Sequence, residues 1–276
     1  MEIRFQNSPT ETASMGTDEI RKNFLCESLM MDDEVNLVYS HYDRMITGGV
    51  KPITSTLTLK THEELKSTFF LERREIGIIN VGGPGKVTAK GEVYELAKLS
   101  CLYAGKGTQD LSFSSNDPAN PAIFFLLSAP AHVNHPTRLM HKEEASPVSM
   151  GAVETSNQRT IYKYIHLDGI ASCQLVMGLT VLKDGSVWNS VPPHTHTRRT
   201  EVYFYFDLAA QQRVFHFMGQ PTETRHLVMA NHQAVVSPPW SVHCGCGSSN
   251  YAFIWGMAGE NLTFTDMDQV AIADLK

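Results

Sequence analysis

The apolar and polar positions of this chain change rhythm early. Between Thr17 and Leu29, Ile20, Phe24, Leu25 and Leu29 fall on one stripe at helical spacing. Asp18 and Glu19 occupy the first turn, where a helix favours acidic groups, and Thr17 is a possible N-cap. The pattern predicts one short amphipathic helix. Residues 1–16 are polar and turn-rich, and are expected to form a loose arm or an edge strand. After Met31 the pattern alternates: Val35 to Tyr39 reads as a strand, and Ser40 to Gly49 as a polar loop ending in a glycine turn.

From Lys51 onward, β-branched and aromatic runs are broken roughly every 8 to 12 residues by Gly, Pro, Asn or Asp, the rhythm of a sandwich or barrel. The clearest strands of the first half are Ile76 to Val81, Gly85 to Val87, Glu92 to Leu96, Cys101 to Ala104, Leu111 to Phe113 and Ala122 to Leu127. The second half repeats the rhythm with Ile161 to Ile165, Ser172 to Val181, Glu201 to Phe206, Val214 to Met218, Arg225 to Met229, Ala234 to Val236 and Tyr251 to Trp255. Glu72 to Val81 can be laid over Arg198 to Phe206 with a small gap, and Leu102 to Gly107 falls where the second half has Pro238-Pro239-Trp240. The expectation is an all-β fold made of a duplicated β unit, with the boundary in the polar stretch His141 to Arg159.

Composition narrows the class. With 42% apolar and 19% charged residues the chain is of ordinary globular character, and a formal charge of −6 offers no basic footprint for nucleic acid. No apolar run approaches the ~18 residues that span a bilayer, and Met1 to Phe5 lacks the blocks of a secretory signal. Five irregularly spaced cysteines suit a reducing compartment, so a soluble, cytoplasmic protein without membrane or nucleic-acid partners is expected.

The chemistry concentrates in His194-Thr195-His196-Thr197-Arg198-Arg199-Thr200-Glu201, with His243 following the Pro-Pro-Trp turn. On a strand, His194 and His196 face the same way, as two imidazoles must to share one ion. Glu201 lies at an odd offset from His196, so the chain must bend between Thr197 and Thr200 to turn it to that face. Three imidazoles and a carboxylate suit a borderline divalent cation: zinc, manganese, iron or nickel. Because the first half offers Thr68-Phe69-Phe70 and Gly105-Lys106-Gly107 at the matching places, only the second half is expected to hold metal. Cys244 and Cys246 read as small thiols in a tight turn, His132 and His135 as loop residues, and Met150, Met177, Met218, Met229 and Met257 as core filler.

Asp184-Gly185 ahead of an HxHxxxxE block, with a later histidine after a proline turn, resembles the metal motifs of the cupin superfamily. Further stretches carry a closer likeness: Ser40 to Met45, Arg198 to Phe206, Phe215 to Pro221 with Glu223 to His226, and Phe253 to Met257 with Gly259 to Asn261. Over essentially its whole length the chain resembles the 5-keto-4-deoxyuronate isomerase family, also called 4-deoxy-L-threo-5-hexosulose-uronate ketol-isomerase. That resemblance implies two jelly-roll-like cupin barrels with a short N-terminal helix: residues 1–150 a degenerate half, residues 151–276 the half with the site. It implies one zinc per subunit on His194, His196, Glu201 and His243, and a homohexamer. It also implies conversion of 4-deoxy-L-threo-5-hexosulose uronate to 3-deoxy-D-glycero-2,5-hexodiulosonate in pectin breakdown.

Such an isomerisation needs a base and a group for the substrate carboxylate. Polar residues within otherwise apolar strands are the candidates: Glu223 as base, and Lys163, Gln174 and Arg225 for substrate binding. Two other functions fit the cupin pattern, an Fe(II) dioxygenase and a non-catalytic uronate-binding cupin.

Overall fold

The computed structural model describes residues 1–263 and 265–276. Two seven-stranded and two four-stranded sheets form the body. The inner strands of the first large sheet run in the order Val35–Ser40, Ile46–Val50, Phe124–Pro130, Arg74–Asn80, Cys101–Ala104. Those of the second run Arg159–Ile165, Val176–Leu182, Ala252–Gly259, Arg199–Phe206, Ala234–Ser237. Each order is first, second, last, third, fourth along its half of the chain, so the duplicated β unit is a structural fact. The small sheets repeat in the same way: Leu57–Thr58, Ser112–Ser115, Gly85–Ala89 and Glu92–Leu96 match Trp188–Asn189, Cys244–Gly247, Val214–Gln220 and Glu223–Met229. Among the described residues no helix is long and apolar enough to cross a membrane.

Burial explains why the central strands read as continuous apolar runs. In the first half, Ile76, Ile78, Phe124 and Leu126 pack with Val87 and Phe113 of the small sheet. Their neighbours Ile79, Phe125 and Leu127 face the other way, into a core shared with Val202, Phe204 and Ile254 of the second large sheet. The Phe125 and Phe204 rings stack with centroids 4.4 Å apart across that contact. A strand buried on both faces has no polar side to show, so strict alternation is lost. The large sheets approach so closely that a Cβ on Gly77 would lie 2.6 Å from Met177 Sδ and 2.8 Å from Ile165 Cδ1. Glycine is required there by space.

The alternation also sets the register between the halves. Ile76 faces the first core, while Glu75 points out of it toward the second half, where it meets Cys173, Gln174 and Leu175. Glu201 faces inward among its own histidines. Glu75 is therefore not the counterpart of Glu201, although the sequences place them side by side.

Two local expectations are corrected, and the expected edge strand of residues 1–16 is present with a helix beside it. Residues 1–16 hold a strand, Glu2–Arg4, parallel to Val35–Ser40, and a helix, Pro9–Ser14, capped by reciprocal bonds between Ser8 and Glu11. The predicted helix spans Thr17–Phe24 with Gly16 as its N-cap, and Leu25–Cys26 continue as a strand against Val235 and Ala234 of the second half. The stripe thus belongs to two elements, and Phe24 and Leu25 anchor the N-terminal arm with roughly 1.5–3 kcal/mol of burial each. Finally, the glycine turn near Gly48 is the strand Ile46–Val50, buried throughout. Its glycines admit close neighbours: a Cβ on Gly49 would meet the Leu29 carbonyl oxygen at 2.5 Å.

Candidate metal centre

The four residues singled out by spacing come from separate pieces of the second barrel. His194 opens the strand His194–Thr195, which pairs with Asp268–Gln269. A turn follows at Thr197 and Arg198, closed by the Arg199 amide donating to the His196 carbonyl at 3.3 Å, and Arg199–Phe206 then begins. This is the bend the odd offset of Glu201 demands. The proline turn contributes twice: the Ser241 amide donates to the Pro238 carbonyl ahead of His243, and the His196 amide donates to the Pro239 carbonyl.

The donor atoms converge. Glu201 Oε2 lies 2.8 Å from His196 Nε2 and 2.7 Å from His243 Nε2. His243 Nε2 lies 3.0 Å from His194 Nε2, and one ligand atom from each residue can be chosen so that all four lie within 4.8 Å of one another. All four side chains are buried, none more than 9% exposed. The outer nitrogens are committed elsewhere: His196 Nδ1 donates to the Asp266 carbonyl at 2.7 Å, and His243 Nδ1 approaches the Ser241 carbonyl at 3.3 Å. Those contacts fix the tautomers so that both Nε2 atoms present lone pairs inward. The inward Nε2 atoms of His196 and His243 then face a carboxylate oxygen, an arrangement that a cation relieves.

Electrostatics agree with that donor set. Burial, followed by the neighbouring His243, drives the His194 imidazole down to about 3, so it is neutral at any ordinary pH. Burial alone would raise the Glu201 carboxyl, but positive charge at His243 and His196 outweighs it and holds it well below the usual range, and a bound cation would act in the same direction. Neutral imidazole and ionised carboxylate are the forms that bind metal.

A supporting shell lies around these groups. Arg199, 1% exposed, donates to Asn261 Oδ1 and to the same Asp266 carbonyl that receives His196. Asp43, from the first half, accepts the Thr200 amide at 2.7 Å and so holds the residue next to Glu201. Burial pushes the Asp43 carboxyl upward. Sequence reasoning placed Asp43 in a surface loop; nothing local to it signals a contact 157 residues away. Deeper in the barrel, Tyr205 Oη and His216 Nδ1 are 2.8 Å apart, and burial lowers His216 to about 3.

His194, His196 and Glu201 of the cluster form one wall of a cavity of about 270 Å³, near the small end for small-molecule sites. Tyr203 and Ser190, with their hydroxyls 2.6 Å apart, also line it, as do Arg159, Thr180, Trp255 and Gln269. The four substrate and base candidates are elsewhere. Glu223 and Arg225 pair with each other at 2.7 Å and line a separate cleft beside Pro9, Thr12 and Trp240. Gln174 donates to the Pro130 carbonyl, and Lys163 sits at a bulge in Arg159–Ile165, outside the cavity lining. Polarity within an apolar strand selected them, and that signal cannot separate an outward face from a pocket wall. Arg159 and Tyr203 escaped notice for the opposite reason, one at a strand start and the other inside an aromatic run.

Cys244 and Cys246 belong to the strand Cys244–Gly247, and Cys244 lines a different groove with Trp188 and Phe217. His132 is exposed and His135 half-buried in a loop, as expected. Met177, Met218, Met229 and Met257 fill core, Met257 also facing the cavity, but Met150 is exposed at the cavity lining.

The model of the KduI/IolB family matches residues 24–273. A 4-deoxy-L-threo-5-hexosulose-uronate ketol-isomerase from Shouchella clausii is 53% identical over 276 residues, covering all of both chains. One of the same name from Caldicellulosiruptor bescii is 48% identical, also over the whole of both. Among solved structures, an IolB-like protein from Salmonella typhimurium aligns with a TM-score of 0.70 at 15% identity, covering 90% of this chain and 97% of that one. Lactobacillus farciminis oxalate decarboxylase aligns at 0.56 and 9% identity over 83% and 79%. These structural likenesses establish the duplicated cupin fold.

Proposed function

Since this chain belongs to the KduI/IolB family, we propose that it is a ketol-isomerase acting on 4-deoxy-L-threo-5-hexosulose uronate, and that His194, His196, Glu201 and His243 hold the divalent cation the reaction uses. The observation that carries the metal reading is the convergence of imidazole and carboxylate lone pairs in a cavity wall, with the outer His196 and His243 nitrogens directed at backbone carbonyls. The donor set fits zinc and leaves manganese, iron and nickel open. The full-length identity to ketol-isomerases supports the reaction.

When bound, the ion supplies Lewis-acid stabilisation of negative charge developing on the substrate carbonyl oxygen, worth several kcal/mol. The protein's own groups do the rest. Tyr203 and Ser190 present paired hydroxyls to the cavity and orient substrate hydroxyls. The apolar walls of Ile161, Phe253, Trp255 and Met257 exclude water, which strengthens each polar contact inside. We further propose that the metal-holding half begins near residue 151, that the protein acts in the cytoplasm in pectin breakdown, and that it assembles as a homohexamer. Exposed Phe215 and Val228, paired across one sheet face, support association.

The test is turnover of the keto-uronate in deuterated water. The expected result is conversion to the 2,5-diketo acid with one solvent deuterium on the carbon that receives the proton. Absence of any conversion by metal-loaded protein would overturn the assignment.

A further inference from the structure

Among the described residues, Arg159 is the one lysine or arginine lining the cavity of the His/Glu cluster. It starts the strand Arg159–Ile165, three strands from Arg199–Phe206 in the same sheet, so it reaches the cavity from a different wall than Glu201 does. Its Nη1 donates to the Asn157 carbonyl at 2.9 Å, which steadies the side chain without neutralising it. Among the described residues no carboxylate stands within ion-pair distance of it. A half-buried guanidinium with no anion is costly, and burial depresses its basicity. The remainder of the lining near it is apolar or hydroxylic: Met150, Ile161, Thr180, Tyr203 and Trp255.

Building on the ketol-isomerase reading, we propose that Arg159 is the specificity-determining residue that receives the substrate's carboxylate, so that the cavity recognises an open-chain sugar acid at two points. One end of the chain, carrying carbonyl and hydroxyl, meets the His/Glu wall. The other end, carrying the carboxylate, meets the guanidinium. Neutral sugars of the same length then lack a partner for Arg159 and leave it desolvated, and discrimination against them is strong because an unpaired buried charge is left behind. Charge-assisted, bidentate arginine–carboxylate bonds make this on the order of a 10²-fold preference.

The test compares wild type with Arg159→Gln and Arg159→Lys, with metal content and circular dichroism as controls for folding. For the keto-uronate, KM should rise on the order of 10²-fold in Arg159→Gln while kcat changes by less than about fivefold, with the lysine variant between. A second readout needs no turnover. A linear six-carbon aldonate should inhibit wild type competitively and lose about that same factor against Arg159→Gln, whereas the corresponding hexitol, which strands the guanidinium in wild type, should bind Arg159→Gln at least as well as wild type. An unchanged KM with equal aldonate inhibition in both proteins would overturn the role of Arg159 while the isomerase reading stood. No turnover by metal-loaded wild type would instead remove the reading on which it rests.

Discussion

Glu201→Gln should empty the centre of its ion and lower turnover by roughly 10³-fold or more, while the protein stays folded. The size follows from losing several kcal/mol of Lewis-acid stabilisation at about 1.4 kcal/mol per tenfold in rate. The fold should survive because a glutamine amide can donate to the lone pairs at His196 Nε2 or His243 Nε2, which the carboxylate oxygen now faces at 2.8 and 2.7 Å. An internal hydrogen bond then does what a bound cation would do in the wild type. The measurement is metal content by elemental analysis beside kcat and a thermal melt. Wild type should gain thermal stability from added metal by mass action, and the variant should not.

Glu75→Ala should be the most destabilising single change outside the barrel cores, by roughly 4 kcal/mol or more. Glu75 is fully buried and accepts four bonds: from the Tyr103 hydroxyl at 2.7 Å and from the backbone amides of Cys173, Gln174 and Leu175 at 2.7, 2.9 and 2.9 Å. Burial and the adjacent carboxylate hold the Tyr103 hydroxyl well above its usual range, so it remains a donor. Alanine would orphan three amides and a hydroxyl at the contact between the halves. A melting temperature lowered by about 10 °C is expected for a chain of this size, with metal content per folded molecule unchanged. A melt within about 2 °C of wild type would show that water replaces the carboxylate at little cost.

These two glutamates show what the sequence can and cannot carry. Glu201 was legible because the signals that place it are local: two histidines at period two, an odd offset and a polar stretch in which to bend together specify a face. Glu75 sits in an almost identical string, yet one residue of register turns it out of its barrel and into the other half. Periodicity cannot choose between the two faces of a strand buried on both. The same blindness affected the pocket wall. Glu223 and Arg225 satisfy each other at a hairpin, while Arg159 reaches the cavity from a strand start that pattern alone left as a boundary. Within the aromatic run Tyr203-Phe204-Tyr205, Tyr203 and Tyr205 line the barrel and Phe204 stacks on Phe125 of the other half. Strand rhythm and duplication were visible because turns are punctuated by Gly and Pro. Contacts such as Asp43 to Thr200 depend on how the halves dock, which composition does not encode.

The most direct test of the central claim is to titrate the purified protein with a chelator, following bound metal and keto-uronate turnover on the same samples. One divalent ion per chain is predicted, with activity falling in proportion to the ion removed and returning when it is restored. Undiminished turnover by protein freed of metal would contradict the account.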